Sequence, residues 1–179
     1  MRLFVAVPVP PGDAFAAVTR DLVQAVPGVQ PVPADTWHLT LRFLGEVEEA
    51  GSITVALQQA LAGLSPVPAV VRGVGAFDDT RKARVAWAAV NAPGLIEVEA
   101  RVRNATACMG KPPEMRTFVP HVTLARLPEP RDLRSWIERH ADTLFLAGNF
   151  AEVVLFRSEL TKGGPVYTRQ WAVALGTGH

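Results

Sequence analysis

The sequence predicts an α+β fold rich in antiparallel sheet, and three observations carry that prediction. Strand-like and helix-like segments run in the order strand, helix, strand, helix, hairpin, then helix, strand, helix, hairpin. Hairpins set beside helices favour antiparallel pairing over a purely parallel sheet. A nine-residue stretch occurs twice, at positions 38–46 and 121–129. Hydrophobic residues make up 49% of the 179 residues, enough for one sizeable core without disulfide or metal staples.

Leu3, Val5, Val7 and Val9 alternate with other residues, the period of a first strand, which Pro10-Pro11-Gly12 ends. Asp13 can cap the helix that follows, with Phe15, Val18, Leu22 and Val26 on one face and Pro27-Gly28 as its stop. A strand is expected from Trp37 to Leu44. A second helix follows Gly45, with Ile53, Leu57, Leu61 and Leu64 at helical spacing. Residues 69–77 and 83–90 read as a hairpin around the polar turn 78–82. Pro93-Gly94 opens a third helix carrying Leu95, Val98, Val102 and Ala105 on one face, and the proline-bearing loop 110–117 leads into a strand over 118–127. A short helix over 131–140 and strands over 151–158 and 167–175, joined by Lys162-Gly163-Gly164-Pro165, complete the chain. No linker divides it, so residues 1–179 read as a single domain.

Charge excludes one class of partner. The 18 basic and 17 acidic residues leave a net charge of +1, which argues against a broad footprint for duplex nucleic acid and leaves room for a local phosphate pocket. One cysteine, Cys108, permits neither an intrachain disulfide nor a multi-thiolate metal site, and it is expected to be buried as a small apolar residue. The N-terminal apolar run is short and broken by Pro8, Pro10 and Pro11, so neither a secretory signal nor a membrane span is expected. A cytoplasmic location follows as the expectation, with no obligate protein partner.

The repeat carries the chemistry. His38-Leu-Thr-Leu-Arg-Phe-Leu-Gly-Glu46 aligns with His121-Val-Thr-Leu-Ala-Arg-Leu-Pro-Glu129, identical at five of nine positions. Each copy is followed by a helix and a hairpin, and the second strand of each hairpin holds a tryptophan, Trp87 or Trp171. Two related halves, each with one copy, therefore make up the domain. Strand periodicity puts His38 and Thr40 on one face, and likewise His121 and Thr123, with the intervening apolar residues inward. Halves packed about a pseudo-two-fold axis bring both faces to a central cleft. One neutral and one protonated imidazole can then move the two protons of a phosphodiester reaction, while the threonine hydroxyls donate to the non-bridging oxygens. Two histidines without nearby carboxylates supply too few ligands for a metal, so neither metal nor cofactor is expected. His140, at the carbonyl end of its short helix, and the terminal His179 read as non-catalytic.

The paired H-x-T-x motifs, His38-Leu-Thr-Leu41 and His121-Val-Thr-Leu124, resemble those of the two-histidine (2H) phosphoesterase superfamily. Arg2-Leu-Phe-Val-Ala-Val7, the stretch 38–45, Pro120-His-Val-Thr-Leu-Ala-Arg126 and Gly164-Pro-Val-Tyr167 are similar to the RNA 2',3'-cyclic phosphodiesterases, also called 2'-5' RNA ligases. The resemblance implies a bilobal fold of two antiparallel sheets flanked by helices. It implies hydrolysis of RNA 2',3'-cyclic phosphate ends to 2'-phosphates, with ATP-independent ligation to 5'-hydroxyls as a related activity. By position, His38 becomes the proton donor to the 3'-oxygen and His121 the acceptor that activates water. Thr40, Thr123 and Arg126 become phosphate-binding groups and Phe43 a base-stacking aromatic. Arg42, which strict alternation puts on the face of His38, is a further candidate for phosphate contact. Phe43 and Arg126 fall on the opposite face by the same alternation, so a twist, bulge or strand end must intervene for either to reach the cleft. Two other readings stand beside this one: an enzyme for small cyclic nucleotides, and a module that grips RNA ends without turnover.

Overall fold

A computed structural model describes residues 1–176; His179 lies outside the described residues. The strands sort into two sheets with only antiparallel pairs. The first holds β1 (Arg2–Pro8), β3 (His38–Glu46), β8 (Glu152–Thr161) and β9 (Gly164–Ala174) in the order β3-β1-β8-β9. The second holds β2 (Gln30–Pro31), β4 (Val67–Phe77), β5 (Ala83–Asn91), β6 (His121–Arg131) and β7 (Leu144–Phe150) in the order β2-β6-β5-β4-β7.

One face of each sheet is apolar and covered by helices. Leu3, Val5 and Val7 of β1, with Leu39, Leu41 and Leu44 of β3, are buried beneath α2 (Gly51–Leu61) and α3 (Leu95–Ala105). Those helices supply Ile53, Leu57 and Leu61, and Leu95, Val98 and Val102. Under the second sheet lie α1 (Asp13–Ala25), through Phe15, Val18 and Leu22, and α4 (Arg134–Arg139), through Trp136. The indole N–H of Trp136 donates to the carbonyl of Val18 at 3.2 Å, which satisfies a polar atom inside the core and pins the two helices together. No helix among the described residues is long and apolar enough to cross a membrane.

The expected α+β class and the expected elements are present, with differences at the edges. Two short features were not read from the sequence: β2 and a single 3-10 turn at Ala34–Thr36. The edge strand β7 was missed because its Ala-Gly-Asn core reads as a turn, while its pairing with β4 comes from the tertiary fold. Strand β6 starts at His121 and runs on to Arg131 through Pro128 and Pro130. Prolines are tolerated there because β2 covers only Gln30–Pro31 on that side, leaving an edge with no ladder bond to lose.

Trp87 and Trp171 lie on the second strands of their hairpins as expected, Trp87 on β5 beside the His121 strand and Trp171 on β9, the strand farthest from His38 in its sheet. One expectation is corrected. Cys108 is exposed, because it falls in the turn after α3 and off the helix's apolar face. The sheets also interleave the two halves of the sequence. The hairpin β4–β5, which follows the first motif, pairs with the second motif's strand, while β1 and the C-terminal hairpin β8–β9 complete the sheet of the first.

Candidate active site

The same local backbone occurs in both motif strands. On β3, Thr40 pairs with Ala6 and Arg42 with Val5, so Leu41 is an extra residue in the ladder. On β6, Thr123 pairs with Trp87 and Ala125 with Ala86, so Leu124 is extra in the same place. Each bulge resets the alternation. Ahead of it His38 and Thr40, and His121 and Thr123, share the open face; beyond it Phe43 and Arg126 join them. Phe43 is 50% exposed there, and Arg126 is exposed as well.

The bulge sends Arg42 the other way, correcting its expected role as a phosphate contact. Its side chain is buried, and the guanidinium donates to the carbonyls of Phe43, Thr106, Met109 and Lys111 at 2.8–3.3 Å and to the Thr106 hydroxyl at 3.2 Å. Thr106 caps the C-terminus of α3, where free carbonyls and the helix dipole favour a cation. Arg42 therefore ties the His38 strand to the end of α3, with its guanidinium buried away from the open face.

β3 and β6 lie against each other, which brings the two histidines together. The Nδ1 of His38 is 2.7 Å from the carbonyl oxygen of Thr36, and the Nδ1 of His121 is 2.7 Å from that of Val119. A carbonyl only accepts, so in each ring Nδ1 carries the hydrogen and Nε2 is left for chemistry. Burial pushes the pKa of both imidazoles down, since the charged form loses hydration; the carbonyl bonds oppose that shift. The Arg126 guanidinium lowers both further, and His38 also feels the charge of His121. One cation thus acts on both rings.

Aromatic side chains hold the rings in place. Phe4 lies 5.0 Å from His38, and Tyr167 meets it edge-on at 5.4 Å. Phe77 packs at 4.9 Å and 90° to His121, with Trp87 at 6.0 Å. Trp87 lies flat over Gly75, where any Cβ would run into the indole. These neighbours were not singled out from the sequence, although a signal exists. Phe4 is an aromatic on the strand face that alternation assigns to solvent, and Tyr167 is the single tyrosine of the chain, whereas Phe77 reaches the open face only through the register shift between Val71 and Val74. His140 lies elsewhere, its Nε2 2.6 Å from the Asp21 carboxylate.

The arrangement offers two ring nitrogens, two hydroxyls and one guanidinium on two strands that lie against each other. The 2'-5' RNA ligase superfamily matches residues 8–161 of the chain. An RNA 2',3'-cyclic phosphodiesterase of Thermus thermophilus is 36% identical over 178 residues, covering 94% of this chain and 87% of that protein. A Methanothermobacter thermautotrophicus protein of the same description is 32% identical over 176 residues, covering 94% and 95%. Among solved structures, TT0787 of Thermus thermophilus matches with a TM-score of 0.80 at 33% identity and covers 100% of both chains. Matched by that family across both histidine strands, and by these relatives along nearly its whole length, the chain belongs to the 2'-5' RNA ligase superfamily.

Proposed function

We propose that the chain is an RNA 2',3'-cyclic phosphodiesterase that opens cyclic phosphate ends to 2'-phosphates by acid–base catalysis from His38 and His121. The observation that carries this reading is the matched presentation of the two imidazoles, each anchored at Nδ1 by a backbone carbonyl, on strands that lie against each other with Arg126 acting on both rings. In hydrolysis, the Nε2 of neutral His121 takes a proton from water as the water oxygen bonds to phosphorus. The bond from phosphorus to the 3'-oxygen breaks, and protonated His38 delivers its Nε2 proton to that oxygen. The products are a 2'-phosphate and a free 3'-hydroxyl. Thr40, Thr123 and Arg126 meet the negative charge that builds on the non-bridging oxygens. Phe43, exposed beside them, offers a face for the terminal base. Run in reverse with a 5'-hydroxyl in place of water, the same groups exchange roles and join RNA ends. A cytoplasmic location fits an RNA-end substrate.

Each proton transfer here is made by a histidine, so the mechanism calls for no metal. Turnover of an oligonucleotide ending in a 2',3'-cyclic phosphate is therefore expected to persist in excess chelator, with a 2'-phosphate as the product. His38→Ala and His121→Ala are each expected to reduce kcat by about 10² to 10⁴. A 3'-phosphate product, chelator sensitivity, or full activity in either variant overturns the mechanism. A protein that binds such ends and releases no product at any pH is the binding module instead.

A further inference from the structure

The open face of the five-stranded sheet continues past the histidine. Ala89 of β5 stands opposite His121, and beyond Ala89 the neighbouring β4 bulges. Arg72 and Gly73 fall between the pairs Val71–Val90 and Val74–Ala88, two residues facing the single Ala89. Gly73 takes φ +76°, and a Cβ there would sit 2.7 Å from the carbonyl oxygen of Ala141, so this bulge requires glycine. A groove of about 490 Å³ runs along the bulge, lined by Val70, Arg72, Ala89, Val90, Asn91 and Ala141. That is within the range of sites that hold small molecules. With strands about 4.8 Å apart, Arg72 starts about 10 Å from His121, two strands across the sheet.

The groove's chemistry is one-sided. Arg72 is exposed and has neither a hydrogen bond nor an ion pair among the described residues, and no carboxylate lines the groove. Its field is therefore available to an anion. Asn91 adds an exposed amide on the same face, and Trp87 and Phe77 supply flat apolar surface along the same strands toward the threonine and arginine end of the cleft. A free cation and an amide on one open sheet are what the backbone of a single nucleic-acid strand needs, and the rings lie on the other side of the histidine, toward the terminal nucleotide. A substrate with its terminal phosphate at the histidines has the rest of its strand still to place, and this groove opens directly from that point.

We infer that the groove binds the RNA strand upstream of the reacting end, with Arg72 on a backbone phosphate and Asn91 on a neighbouring sugar or base edge. This rests on the activity proposed above and extends it, since it makes the substrate an oligonucleotide in preference to a cyclic mononucleotide. A cyclic mononucleotide fills the cleft and leaves the groove empty.

The test compares a short oligonucleotide bearing a 2',3'-cyclic phosphate with a 2',3'-cyclic mononucleotide. Arg72→Ala is expected to lower kcat/KM for the oligonucleotide about tenfold, the loss of one charge-assisted hydrogen bond, and to leave the mononucleotide as in the parent enzyme. The slope of log kcat/KM against log salt should flatten by about 0.7 for the oligonucleotide, one phosphate contact on a single strand. Arg72→Lys should restore most of both. Val70→Glu, which puts a negative charge into the groove from an exposed position, should reproduce the selective loss. Equal losses on both substrates, or no loss on either, overturn the inference. A parent enzyme that opens neither substrate overturns the activity by itself. The groove is then read by binding, where Arg72→Ala must weaken a 2'-phosphate-ended oligonucleotide about tenfold and spare the 2'-phosphate mononucleotide, or the inference falls too.

Discussion

At the scale of single residues, the two histidines are set by what surrounds them. Burial holds both pKa values below the 6.5 of a free imidazole, and Arg126 adds to the effect. For the free enzyme this moves both limbs of a two-histidine rate profile toward acid. The profile of kcat/KM is expected to be a bell with its maximum below about pH 6.5. Replacing Arg126 with Gln should shift the bell upward in pH while lowering its height, which a pH series on both proteins measures. The same shifts bear on stability. Between the depressed folded values and 6.5 the unfolded chain binds more protons than the folded one, so stability rises with pH through that window. This contribution is complete above the unfolded value and is lost as pH falls through the folded ones. The thermal midpoint of the parent should therefore fall on going from pH 7 to 5, and His38→Asn with His121→Asn should remove part of that dependence.

At the scale of elements, the bulge decides which side chains serve the cleft. Arg42 and Phe43 are neighbours in sequence with opposite duties. Arg42→Ala strips donors from several carbonyls at the end of α3 and is expected to cost about 3 kcal/mol of stability. Lysine, without a planar fork, should recover little of it. Phe43→Ala should change stability by less than about 0.5 kcal/mol, because the ring is half exposed, and should raise KM for an oligonucleotide about tenfold. Urea unfolding and steady-state kinetics on the two variants separate the roles. The same bulge marks the limit of what the sequence discloses. His38, Thr40, His121 and Thr123 are legible because each pair lies two residues apart in a repeat, before the ladder slips. Just beyond Leu41 and Leu124 strict alternation assigns Arg42 and Phe43, and Ala125 and Arg126, to the wrong face. Nothing in a Leu-Arg or Leu-Ala step announces an extra residue, since a bulge depends on the partner strand's register. The rings of Phe4, Phe77 and Tyr167 were hidden for a related reason, as they arrive from strands far apart in sequence.

At the scale of the whole molecule, the interleaved sheets make the two lobes one folding unit. A chain ending at Asn91 keeps β1 and β3 without β8, and β4 and β5 without β6, so both sheets lose a central partner. Such a fragment is expected to be unfolded by circular dichroism. The intact chain should unfold in urea in a single transition, with the same midpoint reported by single-tryptophan variants retaining Trp87 or Trp171. The element order and the helix faces that build this unit are legible from periodicity, whereas the exchange of hairpins between lobes is not, because pairing partners leave no local trace. The matched backbone of the two motif strands has a last consequence. Both rings offer Nε2 and are held at Nδ1 by a carbonyl, so the imidazole anchoring alone does not tell a substrate which way round to lie. The tie is broken at one matched position, where the first copy carries Phe43 and the second Arg126. An ancestor with twin copies would have processed its ligand in either orientation; a flat ring on one bank and a cation on the other give the reaction a heading.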